Sequence, residues 1–139
     1  MGDLADRSED ASPATILIIE HDEPTAEMYA RILQIAGFTV RRAVSAPDAL
    51  RDAVAHPPDA ILVDFRMPVM DGLEFLRALR AKPRHRVTPV AIVTGDYQLD
   101  ERLVSQIRDL GAVIRFKPLW VEELTSLAKQ LIAGTAREN

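Results

Sequence analysis

The sequence predicts a doubly wound α/β domain, a sheet of five parallel strands covered by helices on both faces. Three observations predict it. Short apolar runs alternate with amphipathic stretches and short connections, the pattern of parallel strands joined by right-handed crossovers. Most of these runs are almost wholly apolar, as strands buried on both faces require. Four of them end in polar or charged residues: Glu20-His21-Asp22, Asp64, Thr94 and Lys117. Ligands of open α/β sheets bind outside those strand ends.

In chain order, β1 is expected over Thr15 to Ile19 (TILII), with Pro24 opening α1 at a position where its missing N–H was unpaired anyway. Met28, Ile32, Leu33 and Ala36 form the expected inward stripe of α1, and Gly37 stops it. Thr39 to Val44 reads as β2; Arg41-Arg42 interrupt its apolar content, which suits an edge strand. Ala46 to Ala55 reads as α2, closed by His56-Pro57-Pro58, with His56 suited to the helix C-terminus. Ala60 to Val63 followed by Asp64 reads as β3, then a turn at Met67-Pro68, then α3 with Asp71 as N-cap and Leu73, Leu76 and Leu79 inward, ending before Lys82-Pro83. Arg84-His85-Arg86 reads as a solvated loop. Val90 to Val93 is β4. About Asp100 to Leu110 is α4, with Leu103, Ile107 and Leu110 inward and Gly111 at its end. Ala112 to Phe116 is β5, and about Glu122 to Ala133 is α5, with Leu124, Leu127, Ala128 and Leu131 on one face. Trp120 is expected to be partly buried near the start of α5. Strands 1, 3 and 4 are the most apolar and therefore central, in agreement with a 2-1-3-4-5 order of the flavodoxin-like kind.

A chain of 139 residues with 47% hydrophobic content fits one domain with a real core. Its expected organisation is a disordered N-terminal tail (1–14), the domain (15–134) and a short C-terminal tail (135–139). No cysteine is present, which removes disulfides, thiolate metal sites and cysteine nucleophiles, and suits a reducing cytosol. The formal charge of −4 and the lack of a long basic run argue against nucleic acid as a partner. No stretch reads as a signal peptide or a membrane span, so no membrane role and a cytoplasmic location are expected.

The segment DFRMPVMDG, residues 64–72, resembles the D-x-x-M-P-x-M-D-G signature of response-regulator receiver domains. The resemblance extends over nearly all of the chain after the tail. It implies that Asp64 accepts a phosphoryl group from a sensor histidine kinase or a phosphotransfer protein. Lys117, followed by proline, matches the family's lysine, and Thr94 its switch hydroxyl. The chemistry agrees: phosphoryl transfer needs a nucleophilic oxygen, positive charge on the phosphoryl oxygens, and positioning. The family's cofactor is Mg²⁺, for which the resemblance implies Glu20, Asp64 and the Arg66 backbone carbonyl as ligands, with Asp22 and His21 as further candidates. It also implies a cis Lys117-Pro118 bond. Because the chain ends soon after α5, a stand-alone module is expected, signalling to an unknown downstream protein or forming a homodimer through α4, β5 and α5.

Two departures from the pattern matter. Alignment on TILII places His21 where the family carries a metal-ligating Asp, and Mg²⁺ prefers oxygen ligands. Either Glu20, Asp22 and Asp64 still hold the ion, or its binding is weakened. Ile114 stands where receivers carry Tyr or Phe, a ring that swings inward on activation, so the readout is expected from shifts of α4 and β5 instead. Arg66 and Asp96, two beyond Asp64 and Thr94, can pair across the mouth and restrict attacking water, or are two exposed charges of little weight. The competing functions are a binding module without phosphorylation-dependent switching, and a phosphatase of the haloacid dehalogenase type. The latter resembles D-x-D, and here the residue two beyond Asp64 is Arg66.

Overall fold

A computed structural model of the protein describes residues 12–136. Residues 1–11 and 137–139, and with them most of both expected tails, lie outside the described residues. Strands β1 (Thr15–Ile19), β2 (Thr39–Ala43), β3 (Ala60–Asp64), β4 (Val90–Thr94) and β5 (Val113–Phe116) form one parallel sheet in the order 2-1-3-4-5. Helices α1 (Glu23–Ile35), α2 (Ala46–Ala55), α3 (Gly72–Arg80), α4 (Glu101–Asp109) and α5 (Val121–Ala133) connect and close it, with a 3₁₀ turn at Pro83–His85.

Strand side chains alternate between two cores. Leu17, Ile61, Ile92 and Ile114 pack with α2, α3 and α4 on one face, while Ile16, Leu62, Ala91 and Val113 pack with α1 and α5 on the other. The arginines of β2 have partners that suit an edge strand. Arg41 pairs with Asp52 of α2 at 3.0 Å and donates to the His56 carbonyl, and Arg42 pairs with Glu23 of α1. The α3 start is a capping box, in which Asp71 accepts from the Glu74 N–H and Glu74 accepts from the Asp71 N–H, both at 2.9 Å.

Three expectations are corrected. The inward row of α1 is Ala26, Tyr29, Ala30 and Leu33, an i, i+3, i+4, i+7 set built around the Tyr29 ring, and Met28 faces out. The expected inward row of α4 holds, with Ile107 fully buried and Leu103 and Leu110 packed against the margin of the same core. Trp120 is 68% exposed because it is the residue capping α5, while its neighbour Leu119 fills the core beneath. His85 is 1% exposed rather than solvated. Its Nε2 donates to the Ala53 carbonyl at 3.0 Å, its Nδ1 bonds the Thr88 hydroxyl at 2.8 Å, and Arg80 Nη1 donates to its carbonyl at 2.7 Å, so every polar atom has a partner.

Candidate functional site

The C-terminal ends of β1, β3, β4 and β5 bring Glu20, Asp64, Thr94 and Lys117 together. The parallel register sets these ends level, with Asp64 opposite Val93 and Thr94 opposite Phe116. The chain is then tied past the sheet: Phe65 N–H donates to Val93 O and Lys117 N–H to Thr94 O, each at 2.8 Å. Gly72 is required by close approach. A Cβ there would meet Phe65 Cα at 3.0 Å and the Asp64 carbonyl at 3.1 Å, and its N–H donates to Phe65 O at 2.8 Å. The start of α3 thereby fixes the backbone on which Asp64 sits.

Asp64 and Glu20 are both buried, and the Lys117 ammonium lies between them, 3.3 Å from Asp64 Oδ1 and 3.0 Å from Glu20 Oε1. Burial alone would lower the Lys117 pKa; the hydrogen bond to Glu20 and the charges of Asp64 and Glu20 outweigh it, leaving the amine above its usual value. The other carboxylate oxygens face His21, whose Nδ1 is 3.3 Å from Asp64 Oδ2 and 3.7 Å from Glu20 Oε2. Thr94 is buried, and its hydroxyl accepts from the Asp96 N–H at 3.0 Å, which leaves the hydroxyl proton to donate. Arg66 Nη2 pairs with Asp96 Oδ2 at 2.8 Å, and its guanidinium carbon lies 5.7 Å from the centre of the Phe65 ring.

Asp22 is used elsewhere. It caps α1, accepting from the Thr25 N–H and hydroxyl, and so stands outside the metal-capable trio of Glu20, His21 and Asp64, whose ligand atoms lie within 4.8 Å of one another. The trio has the spacing to hold a divalent cation, but one donor in three is an imidazole nitrogen, a poor match to the all-oxygen preference of Mg²⁺. Ile114 is packed in the core on the α2, α3, α4 face. The Lys117-Pro118 bond is cis.

Tyr97 has no part in the sequence reading, yet it joins two elements of the site. Its ring stacks on Phe116 with centroids 5.0 Å apart, and its hydroxyl donates to the Lys117 carbonyl. The signal available was an aromatic residue in an otherwise polar loop three residues after Thr94.

The family model for the response regulator receiver domain matches residues 16–129. The chain is 32% identical over 117 residues to the transcriptional regulatory protein PrrA of Mycobacterium bovis, covering 84% of this chain and 49% of that protein. It is 32% identical over 125 residues to the response regulator MprA of Mycobacterium ulcerans, covering 89% of this chain and 52% of the relative. It thus spans about half the length of these curated relatives. Among solved structures, chemotaxis protein CheY4 of Vibrio cholerae superposes with a TM-score of 0.79 at 28% identity, covering 86% of this chain and 98% of that one. The signal receiver domain of a signal transduction histidine kinase from Syntrophus aciditrophicus superposes with a TM-score of 0.77 at 31% identity, covering 91% and 95%.

Proposed function

This chain belongs to the response regulator receiver domain family, and on that premise we propose that Asp64 accepts a phosphoryl group from a histidine kinase or phosphotransfer protein. The observation that carries the reading is the buried Asp64 carboxylate 3.3 Å from the Lys117 ammonium at the sheet's C-terminal edge. An Asp64 oxygen attacks the phosphorus of the donor's phosphohistidine. The P–N bond breaks, its electron pair returns to the donor imidazole, which takes up a proton, and an acyl phosphate forms on Asp64. Lys117 neutralises a phosphoryl oxygen, and the Thr94 hydroxyl turns to donate to another. Glu20, His21 and Asp64 would hold a divalent cation, which would supply further positive charge at the phosphoryl group. The Arg66 to Asp96 pair across the mouth limits the access of hydrolytic water.

The output surface in this reading is the α4, β5, α5 face, offered to a downstream protein or a second copy, and moved through the contact of Tyr97 with Phe116 and Lys117. The buried Ile114 favours a second reading, a binding module whose partner affinity is indifferent to phosphorylation.

The test is intact-mass analysis after incubation with a small phosphodonor, with divalent cation or with chelator. A phosphate-sized gain in the wild type and none in Asp64→Asn is expected. A gain that persists in Asp64→Asn would refute the assignment. No gain in either protein, with small donors and with a phosphorylated histidine kinase alike, would leave the binding module as the function.

A further inference from the structure

We propose that the Glu20, His21, Asp64 pocket selects a borderline transition-metal dication, of the Zn²⁺ or Co²⁺ class, over Mg²⁺, with the His21 imidazole as a direct ligand. The inference rests on the reading of this pocket as the receiver's divalent-ion site. It names a different ion for it.

The two buried carboxylates divide their oxygens between two partners. Lys117 takes Glu20 Oε1 and Asp64 Oδ1. Glu20 Oε2 and Asp64 Oδ2 remain on the His21 side, 3.7 and 3.3 Å from Nδ1, with Glu20 Oε2 also accepting from the Asp22 N–H at 3.1 Å. An ion entering there meets two oxygens and a nitrogen. The His21 side chain is 47% exposed, so water can complete the shell.

Among the described residues, no further carboxylate is ready to restore an all-oxygen set. Asp22, next in the chain, is committed to the start of α1 through the Thr25 N–H and hydroxyl, and moving it into the pocket would uncap the helix. Mg²⁺ demands near-ideal octahedral oxygen coordination and gives up water reluctantly, whereas imidazole suits Zn²⁺, Co²⁺ and Ni²⁺. The exchange of carboxylate for imidazole therefore penalises Mg²⁺ and favours the borderline ions.

The experiment is calorimetric titration of the full chain with Mg²⁺ and with Zn²⁺, and visible spectroscopy of bound Co²⁺, on wild type, His21→Ala and His21→Asp. No phosphodonor is present, so a failure of phosphoryl transfer leaves the titrations readable, and the converse holds. His21→Ala should weaken Zn²⁺ about tenfold or more and alter the Co²⁺ bands while changing Mg²⁺ little. His21→Asp should tighten Mg²⁺ and weaken Zn²⁺. His21→Asn serves as a second neutral variant if His21→Ala is not folded by circular dichroism. Equal Zn²⁺ affinity in wild type and His21→Ala would overturn the proposal, as would Mg²⁺ affinity in the wild type matching that of His21→Asp. Loss of the Zn²⁺ signal in a His56→Ala control would place the ion elsewhere and overturn it too.

Discussion

Glu20 shows how one residue can be both costly and necessary. Burial pushes its carboxyl above the ordinary 4.5, against the lowering pull of the Asp22 N–H and of Lys117. In return its Oε1 accepts from the Lys117 ammonium at 3.0 Å, while that ammonium lies 3.3 Å from Asp64. Asp22 shifts the other way: hydrogen bonds from the Thr25 hydroxyl and then the Thr25 N–H hold it below its usual 3.8. A depressed acid contributes stability above pH 3.8, and this is lost as pH falls through the lower folded value. Thr25→Val removes the hydroxyl, so the Asp22 pKa should rise towards 3.8 in a carboxyl NMR titration, and the variant should lose less stability than the wild type on acidification. An unmoved Asp22 titration would show that the cap does not set it. At this scale Asp64, Thr94 and Lys117 were legible because each directly follows an apolar run. His85 was not, since its burial depends on Ala53 and Thr88, which no local pattern connects to it.

The elements carry their own signals. Asp71, Gly72 and the Leu73, Leu76, Leu79 row mark α3, and the same row is buried. The turn before α3 contains a strained point, Val69 at φ 73°, a left-handed conformation that a β-branched residue adopts at a cost. Val69 is 92% exposed, so little packing offsets the strain. Val69→Asn should therefore stabilise the domain by about 1 kcal/mol, read from urea denaturation. A loss of stability would mean that Val69 makes a compensating contact. The inward face of α1 is ambiguous in the sequence because Met28 and Tyr29 are both apolar enough to face the core. The fold places Tyr29 in the core shared with Ile16, Ile18 and Leu33 and leaves Met28 outside it. Trp120 and Leu119 present the same ambiguity at the start of α5, resolved in favour of Leu119.

At the scale of the molecule, one sheet divides two cores, and the face covered by α2, α3 and α4 also supports β3, the strand that ends in Asp64. Phe75, fully buried there beside Val63 and Ile92, anchors α3, whose first residue abuts the Asp64 backbone. Phe75→Ala should cost about 3–5 kcal/mol of stability by urea denaturation. A cost below about 1 kcal/mol would show that the core closes over the missing ring. Legible in the sequence were the order of elements, the parallel sheet with β2 at its edge, and the four strand ends that meet at the candidate site. These follow from periodicity and chain direction, which are local. Which atoms meet is visible in the folded chain alone: Lys117 with Glu20, 97 residues apart, Arg66 with Asp96, Tyr97 with Phe116, His21 with Asp64, and Asp22 with its own helix instead of the pocket. The physical reason is that a side chain's direction depends on the neighbours that the crossovers deliver to it, and the sequence fixes those neighbours only through the folded chain.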